Sequence, residues 1–450
     1  MSAVLVDVRP GSASPRPWRF PSFERRTLPT GLRVVLCDLP GSPMAAARLV
    51  LEAGAATEPF EAAGIGLLAA RSLPEGTQSL GPHELAEVME GMGADIKGEV
   101  SFDSMQVRLE VPASRLPPAL ELMADIVRRP GFRPAEVDRL VQERLDQLAQ
   151  EKSVPDALAA RAFEQAVFAP GSAYARSIGG DVETISSLTP AKIEEHYLTR
   201  LAAAPATLVL AGDLSGLDVE GALAGFGSWP ESAESVPEPD VRTPEGIGRR
   251  IVLVDRPGSV QSALAMGHAG PPRRIDDYVA TGTMAMCLGG VFGSRLNMKL
   301  REEKGYTYGA HAGFEFRRHG GAFSCRTAVQ TEVTADAVAD AVAEIERTAA
   351  SGIPESELAS VREYRVGIFP IAYERPAAVA MGLAEMVVHD LPEDWFDSVR
   401  AEMAVVTSQD VSAAAARRLS PDRMAIVVVG DGERIRDSLA ALELGPVVEG

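Results

Sequence analysis

The sequence predicts an α+β protein made of two duplicated halves, each an antiparallel or mixed sheet with helices packed on one side. Three observations lead there. Residues 33–42, RVVLCDLPGS, return at 250–259 as RIVLVDRPGS, keeping the pattern R-x-V-L-x-D-x-P-G-S. The far ends of the repeats agree too. LTPAKIEEHYLTRL…ATLVLAGD (188–213) answers VTSQDVSAAAARRL…MAIVVVGD (406–431), with 24 residues from Thr189 to Asp213 and 24 from Thr407 to Asp431. A register held at both ends of so long a unit marks a duplication. Finally, strand and helix patterns are interspersed within each half, with hairpins among the strands.

The elements follow in order. RVVLCDL reads as a strand and AAARLVLEAG as a second. Leu85, Val88, Met89 and Met92 fall at i, i+3, i+4 and i+7, the spacing of an amphipathic helix. In MQVRLEV (105–111), Val107, Leu109 and Val111 alternate with polar residues, as in a half-buried strand. Pro134 opens a helix that carries Val137, Leu140, Val141, Leu145 and Leu148 on one face. A last helix near 190–199 leads to the strand ATLVLAG. In the second half, HAGFEF (311–316) reads as an edge-capable strand and RRHGG (317–321) as a hairpin turn. FSCRTAV (323–329) alternates, and TADAVADAVAEIERTAA (334–350) has high helix propensity. The expected domains are a loose tail at 1–23, a first half at 24–226, a linker rich in Pro, Glu and Ser at 227–248, and a second half at 249–450.

Composition narrows the function. The 450 residues are 46% hydrophobic and 24% charged, which supports large cores. A net charge of −19 argues against nucleic acid and anionic membranes, both of which need a basic surface. There is no run of 18 apolar residues and no basic segment leading into an apolar one at the N-terminus, so the expected location is the cytoplasm. Cys37, Cys287 and Cys325 lie far apart, form no CxxC pair, and read as small buried hydrophobes.

The chemistry concentrates at 288–309, LGGVFGSRLNMKLREEKGYTYG: a Gly-rich turn, an amphipathic helix, then Arg301 and Tyr308. Gly289, Gly290 and Gly293 lack the Gly-Lys-Ser/Thr ending of a phosphate loop, and a tight turn with close backbone packing is the better reading. If YTY alternates as in a strand, Tyr306 shares a face with Tyr308.

This segment resembles the signature of the C-terminal half of pitrilysin/insulinase-type metallopeptidases. That family includes the mitochondrial processing peptidase and small bacterial two-subunit forms. The resemblance spans roughly residues 24–440 and takes in the duplication, the linker and the VLAGD-type final strands. It implies half of a clamshell chamber that encloses peptides. In active members an inverted zinc motif, His-x-x-Glu-His, lies on a helix of the first half, with a further Glu ligand downstream. An Arg and a Tyr of the second half contact the substrate near the scissile bond. By resemblance these are Arg301 and Tyr308, and Tyr306 is a competitor for the second role.

The first half departs from the active pattern. GIGLLAARSLPEGT (64–77) places Leu67, Ala70 and Arg71 where His, Glu and His belong. Glu143 lies near the place of the distant Glu and reads as a solvated helix residue. The six histidines include no pair at helical i, i+4 spacing. The implied function is therefore the non-zinc, substrate-binding subunit of a heterodimeric zinc endopeptidase, inactive alone. The partner is a homologous subunit with the inverted zinc motif, which supplies the zinc, and the substrate is a peptide or unfolded segment. The alternative is a catalytically inactive structural, assembly or peptide-binding protein of the same fold.

Overall fold

In the structure, a computed structural model, residues 17–227 and 238–450 are described. The first half contains β1 (Glu24–Thr27), β2 (Arg33–Asp38), β3 (Met44–Leu51), β4 (Asp95–Val100), β5 (Met105–Pro112) and β6 (Ala206–Gly212). They form one sheet in the order β1-β2-β6-β3-β5-β4. The second contains β7 (Arg250–Asp255), β8 (Gln261–Gly270), β9 (Ala310–Phe316), β10 (Gly321–Gln330), β11 (Ala425–Gly430) and β12 (Val447–Glu449), in the order β12-β7-β11-β8-β10-β9. Five strands of each sheet repeat one topology: the last long strand of the half inserts beside the first, parallel to it, and the remaining neighbours are antiparallel. Both sheets are mixed, and the repeat seen in the sequence is a repeat of topology.

The inserted strands, β6 and β11, are buried at every position. That explains why ATLVLAG and AIVVVG run apolar without alternation: both faces of each strand are covered. On one face, Leu208 and Leu210 join a core built with helices of their own half, among them Leu116–Arg128. On the other, Val209 and Ala211 meet Val379, Leu383 and Met386 on the helix Pro376–Val388, which belongs to the second half. The second sheet mirrors this. Ile426 and Val428 face their own helices, while Val427 and Val429 meet Ala159 and Phe163 on the helix Pro155–Val167 of the first half. Each half thus supplies the one-sided helix layer expected from its sequence and also lends one helix to the other half's sheet. Fully burying a Val, Leu or Phe side chain contributes about 1.5–3 kcal/mol, so each exchanged helix carries a large share of the stability.

Polar contacts lock the exchange. The β9–β10 turn, which the sequence marks as a hairpin, reaches into the first half. Arg317 is 3% exposed. It bonds Glu164 and Glu315, each at 2.9 Å, and its guanidinium lies 4.1 Å from the Phe102 ring and 4.8 Å from that of Tyr174. The next amide, of Arg318, donates to Asp103, whose other oxygen accepts the Tyr174 hydroxyl.

The described part of the expected tail is anchored. Phe20 is buried and stacks on Phe396 with ring centroids 3.8 Å apart, and its amide donates to Asp397. Residues 1–16, and 228–237 of the linker, lie outside the described residues. The linker's described end is pinned where Ala169 and Ala173 donate to Arg242 and Asp240. Cys37, Cys287 and Cys325 are free and buried. Among the described residues no helix is long and apolar enough to cross a membrane.

Arg317→Ala would leave Glu164 and Glu315 without their cation at the junction. Breaking a buried pair in this way costs about 3–5 kcal/mol. The expected outcome is a correspondingly lower urea midpoint. An unchanged midpoint would show that the apolar exchange alone holds the halves.

Candidate functional site

The segment 288–309 folds as two π-helical turns and a loop. The first, Met286–Gly290, backs onto the edge strand β9, where a Cβ on Gly289 would lie 2.5 Å from the Ala312 nitrogen. The glycine is therefore required by close backbone approach, as read from the sequence. Arg295 is 8% exposed and forks onto Glu357 at 2.6 and 3.2 Å, so this arginine of the motif holds helices together.

Asn297 was not singled out by sequence reasoning, yet it organises the site. Its Nδ2 donates to Val291 O, Ser294 Oγ and Ala310 O, and its Oδ1 accepts from the Ala310 amide at 2.9 Å. One buried side chain thus joins the end of the Gly-rich turn to the start of β9. The second π-helical turn, Asn297–Glu303, closes at Gly305, whose φ of 66° is left-handed. Tyr306 N bonds back to Leu300 O at 2.9 Å. The π geometry replaces the regular helix read from the amphipathic spacing.

Arg301 lies on this turn, with its guanidinium 4.2 Å from the Phe292 ring and its Nε 3.5 Å from Glu302. Residues 305–309 are loop, not strand, so Tyr306 and Tyr308 do not share a strand face. Tyr306 packs against the second-half core, whereas Tyr308 is 97% exposed. Thr307 Oγ1 bonds the Gly309 amide and accepts from Thr327, which fixes the loop beneath Tyr308. The segment carries a partly exposed guanidinium, with the 65% exposed Phe292 ring against it, and a phenol turned fully outward. Such donors hold a carbonyl or a developing oxyanion.

In the first half, Leu67, Ala70 and Arg71 lie on the helix Ile65–Ser72. The buried Glu58 caps its start, accepting from the Gly64 and Gly66 amides at 2.8 and 2.9 Å. The other end of the helix lies against the edge strand β4, where a Cβ on Gly98 would meet the Ala70 carbonyl at 2.2 Å. Leu67 is half-buried and Ala70 fully buried. Arg71 donates to Gln147 at 3.0 Å. Gln147 is one turn beyond Glu143 on the helix Pro134–Glu151, and Glu143 instead pairs with Arg139 at 2.6 Å and is exposed. Buried Arg144 follows, bonded to Gly179 O and to Glu151 at 2.7 Å. Burial, and then the neighbouring Arg144, push the Arg71 guanidinium below its usual range. A guanidinium offers no lone pair to a metal. Among the described residues no group of three or more His, Cys, Asp or Glu is placed to hold a metal ion.

Residues 33–171 match the family model of insulinase, peptidase family M16, and residues 187–364 match that of the peptidase M16 inactive domain. An uncharacterized zinc protease of Mycobacterium tuberculosis is 25% identical over 417 residues, covering 90% of this chain and 92% of that protein. The non-peptidase homolog YmxG of Helicobacter pylori is 22% identical over 338 residues, covering 74% and 76%. Among solved structures, a peptidase M16 inactive domain from Pseudomonas fluorescens has TM-score 0.83 at 25% identity, covering 91% of this chain and 98% of its own. A protease from Helicobacter pylori has TM-score 0.84 at 18% identity, covering 92% and 100%, and shows the fold.

Asn297→Ala is expected to cost roughly 2 kcal/mol, from several buried hydrogen bonds lost at once. It should also open residues 304–309 to proteolysis; equal proteolysis of variant and wild type would remove Asn297 from its organising role. The Glu58 carboxyl is pushed up to about 7, chiefly by burial, against the Gly64 and Gly66 amides and Arg176. The folded chain then keeps a proton that the unfolded chain releases near 4.5. Stability from this group therefore falls as pH rises from about 4.5 to about 7, and is level above. The change in melting temperature between pH 5 and pH 8 should shrink in Glu58→Gln, and an unchanged difference would rule this out.

Proposed function

We propose a function on the premise that the chain belongs to the insulinase-type peptidases, family M16, as a member of its inactive kind. It is the substrate-binding subunit of a two-subunit zinc endopeptidase. A homologous partner carries His-x-x-Glu-His, the zinc and the general base. This chain contributes Arg301 and Tyr308, and the substrate is a peptide or an unfolded segment held between the two subunits.

The observation that carries the reading is the setting of Tyr308. A tyrosine 97% exposed, on a loop pinned by Asn297, Thr307 and Gly305, is held ready without burying its ring. Arg301, on the turn that leads into this loop, is aimed by the Phe292 ring rather than consumed by a buried carboxylate. Tyr308 faces out of the chain and the Arg301 side chain is 35% exposed, so the group they act on comes from elsewhere. In that role the guanidinium would orient the scissile carbonyl and the phenol would donate to its oxygen as charge develops there, while the zinc held by the partner would supply the activation of water. Donors placed at the developing charge act on the transition state more than on bound substrate. The Arg71, Gln147 and Arg144 arrangement on the first half supports a division of labour, because it leaves metal chemistry to the partner.

The test is peptidase activity of this chain alone, of a zinc-motif homologue alone, and of the mixture. Activity is expected only in the mixture. Tyr308→Phe should lower kcat about a hundredfold, the effect of one lost oxyanion donor, with complex formation by size exclusion unchanged. Activity from this chain alone would overturn the assignment. A stable complex without activity in any mixture would favour the structural reading of the same fold.

A further inference from the structure

The junction between the halves holds a pocket of about 400 Å³ that the Arg301/Tyr308 site does not use. The first half contributes Phe102, Leu158 and Arg161 to it, and the second contributes Glu315, Arg317 and Arg326. Its charges are unevenly satisfied. Every lining carboxylate already has a cation: Glu151 has Arg144 at 2.7 Å, and Glu164 and Glu315 share Arg317 at 2.9 Å. Among the described residues Lys152, Arg161 and Arg326, which also line it, have no ion pair.

The buried polar atoms point the same way. Arg317 is 3% exposed, yet its Nη1 has no hydrogen-bond partner. Arg176 bonds three carbonyls through Nη2, while its buried Nε and Nη1 have none. Glu164 Oε2 is the single buried acceptor of the lining left open. Unpaired buried donors are costly, and native proteins keep few of them without a reason. Their residues line one space, beside an apolar wall of Phe102 and Leu158, within a chain of net charge −19.

We propose that this pocket binds a carboxylate of a peptide, either an acidic side chain or a free C-terminus. The carboxylate pairs with Arg161, Arg326 and Lys152, the lining cations without ion pairs, and the buried guanidinium groups of Arg317 and Arg176 add to the positive field behind them. The pocket thus gives the bound peptide an anchor distinct from the residues set against its scissile bond. The inference rests on the peptide-binding part of the proposed function and not on the zinc-bearing partner.

The test uses the full chain alone and three fluorescein-labelled, alanine-rich peptides read by anisotropy. One has a glutamate and an amidated C-terminus, one a glutamine and an amidated C-terminus, and one a glutamine and a free C-terminus. At least one carboxylate peptide should bind about tenfold tighter than the neutral one, the size of one charge-assisted contact. Which of the two does so identifies the source of the carboxylate. The gain should fall with added salt and vanish in Arg161→Ala/Arg326→Ala. Both residues are exposed, so melting temperature should hold. Equal binding of the three peptides, no binding of any, or a gain that survives the double substitution would overturn the proposal. A retained gain in a chain that fails to complement a zinc-motif homologue would instead sink only the two-subunit reading.

Discussion

A strand that is apolar on both faces must be covered twice. β6 and β11 are such strands, and each half has helices of its own for only one side of its sheet. The second cover has to come from the other half, and the rest of the architecture follows. Pro155–Val167 crosses to the second sheet and Pro376–Val388 to the first. Once crossed, the two helices bring the β9–β10 turn against Phe102 and Tyr174, where Arg317 finds both its ion pairs and its aromatic cage. The apolar exchange supplies the magnitude. The arginine, which would be costly in any other register, supplies the alignment.

Much of this was legible. The repeat, most of the strands and the long helices follow from periodicity and from the R-x-V-L-x-D-x-P-G-S echo. The exchange was not, because an apolar helix face states that it is buried and not against what. Period also misleads at the margin of a buried face and where the backbone departs from the α-helix. Leu85 is fully buried but Val88, placed on the same face by spacing, is 40% exposed. The π-helical turns at 286–290 and 297–303 keep an apolar pattern that a regular helix would share.

The candidate site divides in the same way. Arg301 and Tyr308 were visible through a motif, and the structure separates Tyr308, fully exposed, from Tyr306, half-buried on the core. Asn297 gave no warning, since an asparagine inside an amphipathic stretch has no periodic signature and its four bonds depend on where β9 begins. The same holds in the first half, where Gln147 rather than Glu143 faces Arg71. One helical turn decides which side chain points inward, and spacing over some 70 residues of intervening chain cannot fix a turn.

The reciprocal loan of helices bears on how such a chain could arise. A polypeptide consisting of one repeat would have the same doubly apolar strand and only half of its cover. It could satisfy both faces only as a two-fold pair, each copy lending its helix to the other. Joining two copies end to end keeps every contact and removes the dependence on concentration, because the second copy is always near at hand. Freed from identity, the copies can diverge: one keeps the frame around Ile65–Ser72, the other elaborates the loop that bears Tyr308. The fused chain is in this sense a dimer that no longer needs to find itself.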